Sequence, residues 1–399
     1  MEINIKDGYK VTEVGVIPDD WNCQILSTII SIPIQNGVFN NPLKKGRGYK
    51  LINVSDLYSS VPIDCKKLEL FDASKDEITR FYVVNGDIFF TRSSLTPDGI
   101  AHCNIYKKEE EEEIVFDCHI IRVRGNIDKI EPFFLFRYCL GSLARKYLIS
   151  HAKTTTMTTI DQSVIANLPI LVPPLAEQKA IAHALSDVDN LITAIDQLIT
   201  KKRNLKQGTM QELLTGKKRL PGFSGKWEVK KLGDILKVKH GKSQHNIIDE
   251  NGKFPILATG GEIGKTNTYL YNKPSVLIGR KGTIDIPQYM DTPFWTIDTL
   301  FYTEIFNNAV PKFVFYKFNL INWYSYNEAS GVPSLNAKTI ENIDINFPKN
   351  VLEQKAIAEI LTDMDKEIEA LEKKRDKYKA IKQGMMQELL TGKTRIIDN

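Results

Sequence analysis

The sequence predicts an α+β protein made by internal duplication. Two mixed α/β, strand-rich domains are each followed by one long helix, and the two helices pair as an antiparallel coiled coil with pseudo-two-fold symmetry. Three observations carry that prediction. Glu177-Gln178-Lys179-Ala180-Ile181-Ala182 returns as Glu353-Gln354-Lys355-Ala356-Ile357-Ala358, and Gln207-Gly208-Thr209-Met210-Gln211-Glu212-Leu213-Leu214-Thr215-Gly216-Lys217 returns as Gln383-Gly384-Met385-Met386-Gln387-Glu388-Leu389-Leu390-Thr391-Gly392-Lys393, both at an offset of 176 residues. Between these landmarks the apolar residues keep a heptad rhythm. The two remaining blocks carry short Val/Ile/Phe/Tyr runs broken by Gly, Pro, Asn and Asp, which is a strand-and-turn pattern.

The first block, residues 1–173, is one domain. The chain has 399 residues, 42% of them hydrophobic and 26% charged, which suits a globular protein with more than one core. Met1-Glu2-Ile3-Asn4 has no signal-peptide character, and no apolar run approaches the roughly 18 residues of a membrane span, so a cytoplasmic protein without membrane contact is expected. All five cysteines (Cys23, Cys65, Cys103, Cys118, Cys139) fall in this block at wide spacings, without a C-x-x-C pair or a partnering histidine cluster, and read as reduced structural thiols. Lys107-Lys108 followed by Glu109 to Glu113 reads as a solvated hairpin tip. The net charge of +4 is too small to argue for nucleic acid, so any basic face must be local.

The first helical spacer, residues 174–219, places Ile181, Leu185, Val188, Ile192, Ile195 and Ile199 in alternating steps of four and three. The second spacer, residues 349–399, repeats the seam with Ile357, Leu361, Met364, Ile368 and Leu371. Leu191, Leu198 and Leu205, with Ile360 and Ile381, widen the stripe, whereas Arg375 and Tyr378 make the seam polar late in the second copy. Pro173-Pro174 and Pro348 bar inward extension of the helices, and Gly216 and Gly392 stand where a C-terminal cap wants glycine. About 38 residues at 1.5 Å each make a helix of roughly 55 Å. Gly208 and Gly384, inside the helices, imply a kink, a close neighbour or mere tolerance.

The second domain, residues 220–348, echoes the first. Trp21 before Leu26 resembles Trp227 before Leu232, and Gly48 to Ile52 resembles Lys253 to Leu257. Asp87 to Arg92 resembles Ser275 to Arg280, and Ile165 to Ile170 resembles Ile340 to Ile345. The helices drift in sequence while holding their length, as a ruler would. Two diverged heads held at fixed separation by a two-fold rod suit duplex DNA, whose half-sites lie about one turn, roughly 34 Å, apart.

At these residues the chain resembles the specificity subunits of type I restriction–modification systems, over essentially its whole length. The E-Q-K-A-I-A opening and Q-G-x-M-Q-E-L-L-T-G-K closing carry the resemblance in both copies. It implies two target-recognition domains, each reading half of a bipartite, asymmetric site in double-stranded DNA. It implies too that the helices set the gap and dock two methyltransferase subunits, with endonuclease/translocase subunits joining them. This chain would then be no enzyme and bind no cofactor, leaving S-adenosylmethionine, ATP and Mg²⁺ to its partners, with adenine N6 methylation and ATP-driven cleavage as their chemistry.

The motifs agree with that division. Asn40-Asn41-Pro42-Leu43 lacks the methyltransferase Asn/Asp-Pro-Pro-Tyr/Phe tetrapeptide, Gly241-Lys242-Ser243 lacks the earlier Gly of a phosphate loop (Leu236 stands there), and Gly260 to Gly264 reads as a turn. No metal site is expected. DNA contacts must come from basic and polar loop residues. The candidates are Lys44, Lys45, Arg47 and Lys50; Thr91, Arg92, Ser93 and Ser94; and Lys153, Thr154 and Thr155. In the second domain they are His240, Lys242, Ser243 and Gln244; Arg280, Lys281 and Thr283; and Ser330 to Ser334. Arg92 and Arg280 are favoured because each follows a strand at matched positions. Tyr49, Tyr269 and Tyr271 read mainly as core aromatics. Other functions compatible with the pattern are a two-headed protein that spaces protein ligands, and an orphan or phase-variable specificity subunit whose heads recombine.

Overall fold

The computed structural model describes residues 7–59, 61–110 and 112–396. Met1 to Asn4, Glu111 and the last three residues therefore lie outside the described residues. The chain divides into two compact units, Met1–Ala194 with Arg375–Asn399, and Ile195–Lys374. This division differs from the four segments read from sequence, because each unit takes the end of one long helix and the start of the other.

The long helices are Leu175–Leu213 and Val351–Leu389, 39 residues each. Among the described residues no helix is long and apolar enough to cross a membrane. Gly216 and Gly392 have φ of +75° and +72°, the left-handed cap that glycine adopts without strain. A Cβ on Gly216 would meet the Trp227 ring at 3.1 Å, and one on Gly392 would meet Pro18 at 2.5 Å. Each glycine thus both ends a helix and lets the chain pass close to a domain.

In the first unit a four-stranded sheet runs Gln35–Asn36, Ile120–Val123, Ile88–Thr91, Cys103–Ile105, and a three-stranded sheet runs Ile114–Phe116, Lys45–Ile52, Glu69–Phe71 with its first pair parallel. In the second unit the four-stranded sheet is Leu236–Lys239, Leu300–Ile305, Ser275–Gly279, Gln288–Met290. Its three-stranded sheet is Gly261–Thr266, Phe254–Ala258, Trp295–Thr296, again with one parallel pair. All four sequence echoes occupy equivalent places. Leu26 and Leu232 are buried and donate their N–H groups to Leu168 and Ile343, and Ile88–Thr91 and Ser275–Gly279 are the buried inner strands. Short helices Gln162–Ala166 and Ala337–Glu341 lead into strands Pro169–Val172 and Asp344–Phe347, which pair with Asn22–Ile25 and Glu228–Lys231.

The helix seam is buried or half-buried at all eleven expected positions. Its first residues do more than join helices, because Ile181 and Leu185 belong to the first unit's core together with Leu389 and Leu390. Ile357 and Leu361 likewise share a core with Met210, Leu213 and Leu214 in the second unit. Leu191, Leu198, Leu205, Ile360 and Ile381 do not widen the buried stripe; all five are exposed. Antiparallel packing shows within each unit as ion pairs. Asp189 meets Lys382 in the first, and Lys202 meets Glu367, Arg203 Glu372 and Lys206 Asp365 in the second.

Candidate nucleic-acid interface

One of the two inner strands of each four-stranded sheet leads into an arginine gripped through its backbone. Ile88–Thr91 is buried throughout, and Arg92 follows it. The Arg92 N–H donates to the His119 carbonyl at 3.1 Å, and its own carbonyl accepts from the Ile160 N–H at 3.0 Å. Ser275–Gly279 is equally buried; Arg280 donates to Thr299 O at 2.8 Å and accepts from Leu335 N–H at 2.9 Å. The next residue pairs with the segment before the short helix in both units, Ser93 with Thr159 and Lys281 with Ser334.

This pairing joins candidate loops that lie far apart in sequence. Lys153–Thr154 pairs with Thr158–Thr159, which pairs with Ser93–Ser94. Arg92, Lys153, Thr154 and Thr155 are exposed, Ser93 and Ser94 half-buried. In the second unit Lys281, Thr283 and Ser330 are exposed, and Ser334 is half-buried. Among the described residues Arg92 has no carboxylate partner, and Lys153 comes within 3.8 Å of Asp161. Arg280 is partly restrained: Nη1 donates to Asp298 O at 3.2 Å, with that residue's carboxylate 4.0 Å away.

Other candidates stand elsewhere. Thr91 is fully buried at the end of its strand and so is not a surface contact; the strand is buried on both faces, and exposure begins only past its end, at Arg92. Lys44, Lys45, Arg47 and Lys50 each pair with a carboxylate of the same unit: Glu77 at 3.0 Å, Glu69 at 2.8 Å, Asp72 at 3.0 Å, and Glu112. The glutamate run is therefore not merely solvated, since Glu112 neutralises Lys50. His240, Lys242 and Ser243 are exposed and Gln244 half-buried. His240 lies edge-on to Phe301 at 4.9 Å between centroids, and the Lys242 backbone is held by Thr296 and Trp295. A Cβ on Gly241 would stand 2.0 Å from Ile297 O, so this glycine serves a backbone crossing. Tyr271 packs on Phe294 and Tyr302, as a core aromatic.

Three residues beside Arg92 escaped the sequence reading. His119 Nδ1 lies 2.7 Å from the buried carboxylate of Asp117, which leaves Nε2 facing away while the imidazole stays exposed. Gln162 Nε2 donates to Asn36 Oδ1 at 2.7 Å, and Asn36 Nδ2 donates to the carbonyls of Cys118 at 2.9 Å and Ile120 at 3.3 Å. Asn36, Arg92, Gln162 and Ser163 line one open groove. The available signal was the short polar run Asp117-Cys118-His119 between two strands.

Within that run Asp117, Cys118 and His119 each offer a ligand atom within 4.8 Å of the others. All five thiols are unpaired. Burial pushes the Cys103 thiol up to about 12 and Cys139 well above its ordinary value, so these two behave as core groups.

The family model for the type I restriction modification DNA specificity domain matches residues 18–205 and 224–380. The chain is 29% identical to the type I restriction enzyme MjaX specificity subunit of Methanocaldococcus jannaschii, over 98% of this chain and 97% of that one. It is 28% identical to the MjaVIII specificity subunit of the same organism, over 78% and 77%. The crystal structure of the type I restriction–modification S subunit from M. genitalium superposes with a TM-score of 0.62 at 17% identity, covering 97% of this chain and 98% of that one.

Proposed function

The chain belongs to the type I restriction–modification DNA specificity family, and from that premise we propose that it reads a bipartite, asymmetric sequence in double-stranded DNA, one half through each unit. The observation that carries this reading is the duplicated grip. In both units a buried strand delivers an arginine to the same backbone cradle, beside polar residues that differ between the units. Equal presentation with unequal neighbours is what reading two different half-sites requires.

The catalytic chemistry belongs to other subunits. Two methyltransferase subunits dock along the long helices, and endonuclease/translocase subunits complete the restriction complex. Leu198 and Leu205, one heptad apart on the second unit's part of the first long helix, stay exposed, as an apolar dock for a partner helix would be. S-adenosylmethionine, ATP and Mg²⁺ are bound by those partners, and the complex works in the cytoplasm on host and invading DNA. The helices hold the length of the unread gap.

Long-read sequencing of adenine methylation in host DNA, with and without the gene, tests the proposal. Loss of one gapped, two-part motif on deletion is the expected result and gives both half-sites at once. An unchanged methylome would reject the recognition role in that host, leaving an orphan copy or a protein that spaces other ligands.

A further inference from the structure

We infer that Arg92 and Arg280 are the equivalent base-reading residues of the two units, and that the side chains fixed beside each make the two half-sites different. The inference rests on the DNA-recognition reading above and names where in each unit that recognition lies.

Base readout needs a side chain whose root does not move, because specificity comes from two hydrogen bonds placed together on one base edge. Phosphate contact makes no such demand, and long flexible lysines serve it well. Both arginines meet the stricter condition. Each follows a buried strand and has its N–H and its carbonyl bonded to two other segments, at 3.1 and 3.0 Å for Arg92 and 2.8 and 2.9 Å for Arg280. Four other candidate cations of the first unit, Lys44, Lys45, Arg47 and Lys50, are neutralised by carboxylates, whereas none pairs with Arg92 among the described residues. An arginine presents a planar fork that matches the O6/N7 edge of guanine in the major groove.

The neighbours supply the difference. Beside Arg92 stand the Asn36–Gln162 amide pair and His119 locked by Asp117. The Asn36 amide spends both its donor and its acceptor inside the unit, which fixes Gln162, whose Oε1 accepts no hydrogen bond among the described residues. Carboxamides match adenine or accept from cytosine N4, so this surface can read a base next to the guanine. Beside Arg280 the position of His119 is taken by Thr299, and the residue that follows the arginine is Lys281 instead of Ser93. Asp298 holds the Arg280 guanidinium near its own carbonyl in the unbound chain.

The test replaces the chromosomal gene by Arg92→Gln, Arg92→Lys, Arg280→Gln and Arg280→Lys, and maps adenine methylation by long-read sequencing. Each purified chain's thermal midpoint serves as a folding control. Arg92→Gln is expected to relax one base position in one half-site, with discrimination there falling roughly 5- to 150-fold. Arg280→Gln should do the same in the other half-site, and the gap should stay constant. The lysine variants keep the charge but lose the fork, so relaxation at the same position is expected again. An unchanged motif in the glutamine variants overturns the assignment. So does an even fall in methylation over an unaltered motif that lysine rescues, which marks a phosphate contact. Both variants altering the same half-site would refute the equivalence. A wild-type strain whose methylation does not depend on the gene would reject the recognition reading first, and that result is distinct from all of these.

Discussion

Glu177 and Glu353 open the repeated motif, and each is buried against an arginine that follows the other copy's closing motif. Arg395 donates to Glu177 at 2.6 and 2.7 Å and to Asp20 at 2.9 and 2.8 Å, while Trp21 Nε1 donates to Glu177 at 3.0 Å. Arg219 donates to Glu353 at 2.6 and 2.8 Å, but Trp227 Nε1 has no hydrogen-bond partner among the described residues. The adjoining glutamines bind three backbone groups each. Gln178 joins Glu131, Lys129 and Pro173, and Gln354 joins Val310, Asn308 and Pro348. Removing one partner of a buried ion pair typically costs about 3–5 kcal/mol. Glu177→Ala should therefore destabilise the first unit by an amount in that range, and by more than Glu353→Ala costs the second, because it also orphans Trp21. Calorimetry of the two variants checks the order. Lys317 offers a pH test in the second unit. It is buried and donates to Leu214 O at 2.9 Å, and burial lowers its pKa to about 8. The unfolded chain holds that proton to a higher pH, so between about 8 and the ordinary lysine value the unfolded state binds more protons and stability rises with pH. The stability difference between wild type and Lys317→Met should accordingly move in favour of the wild type from pH 8 to 10 in denaturant titrations.

The long helices were the most legible elements, since heptad spacing, flanking prolines and capping glycines are local signals that agree with one another. Their motifs were harder to interpret, because a sequence repeat does not say what it packs against. E-Q-K-A-I-A and M-Q-E-L-L are where the domains grip the helices, and that depends on long-range contacts such as Gln178 with Glu131, Gln354 with Val310, and Leu389 and Leu390 in the first unit's core. The matched pairs Asp189–Lys382 and Lys206–Asp365 sit at the same repeat positions, so each unit is clamped in the same way. Gly208 and Gly384 have nothing within 4 Å of where a Cβ would stand, which removes close packing inside the chain as their reason. Gly208→Ala should then stabilise the chain by roughly 1 kcal/mol. A melt shows this directly, and unchanged or lowered stability would refute it. The ruler has its own test. In the first unit the ion-pair register sets the peptide after Lys379 opposite the one after Leu191, so four residues inserted at both places keep the pairing on either side. The added length is about 6 Å, near two base pairs at roughly 3.4 Å each. Methylome mapping should show a longer gap between unchanged half-sites, and altered half-sites would count against a spacing role.

Across the molecule, duplication was visible in four faint echoes, and every one marks an equivalent element. The candidate interface was only partly visible. Sequence places Arg92 and Arg280 after strands, but the meeting of Ser93 with Thr159 and of Lys281 with Ser334 depends on pairing between distant segments, and the quenching of Lys44 to Lys50 depends on carboxylates brought in from residues 69–112. These facts together constrain how a head can be exchanged. Replacing residues 1–173 by the corresponding domain of another family member should change one half-site and leave the other half-site as it was, base for base. The graft must also satisfy what remains. Leu389 and Leu390 need a core to enter, Glu177 needs the indole N–H that Trp21 supplies, and Arg395 needs the carboxylate of Asp20. A donor domain with tryptophan and aspartate at those places should yield a folded protein with one new half-site in the host methylome. The same graft carrying Trp21→Phe and Asp20→Ala should lose stability while reading the same new half-site at permissive temperature. If the altered graft instead read a different sequence, the junction would take part in recognition, and the division between reading surface and helix grip would fail.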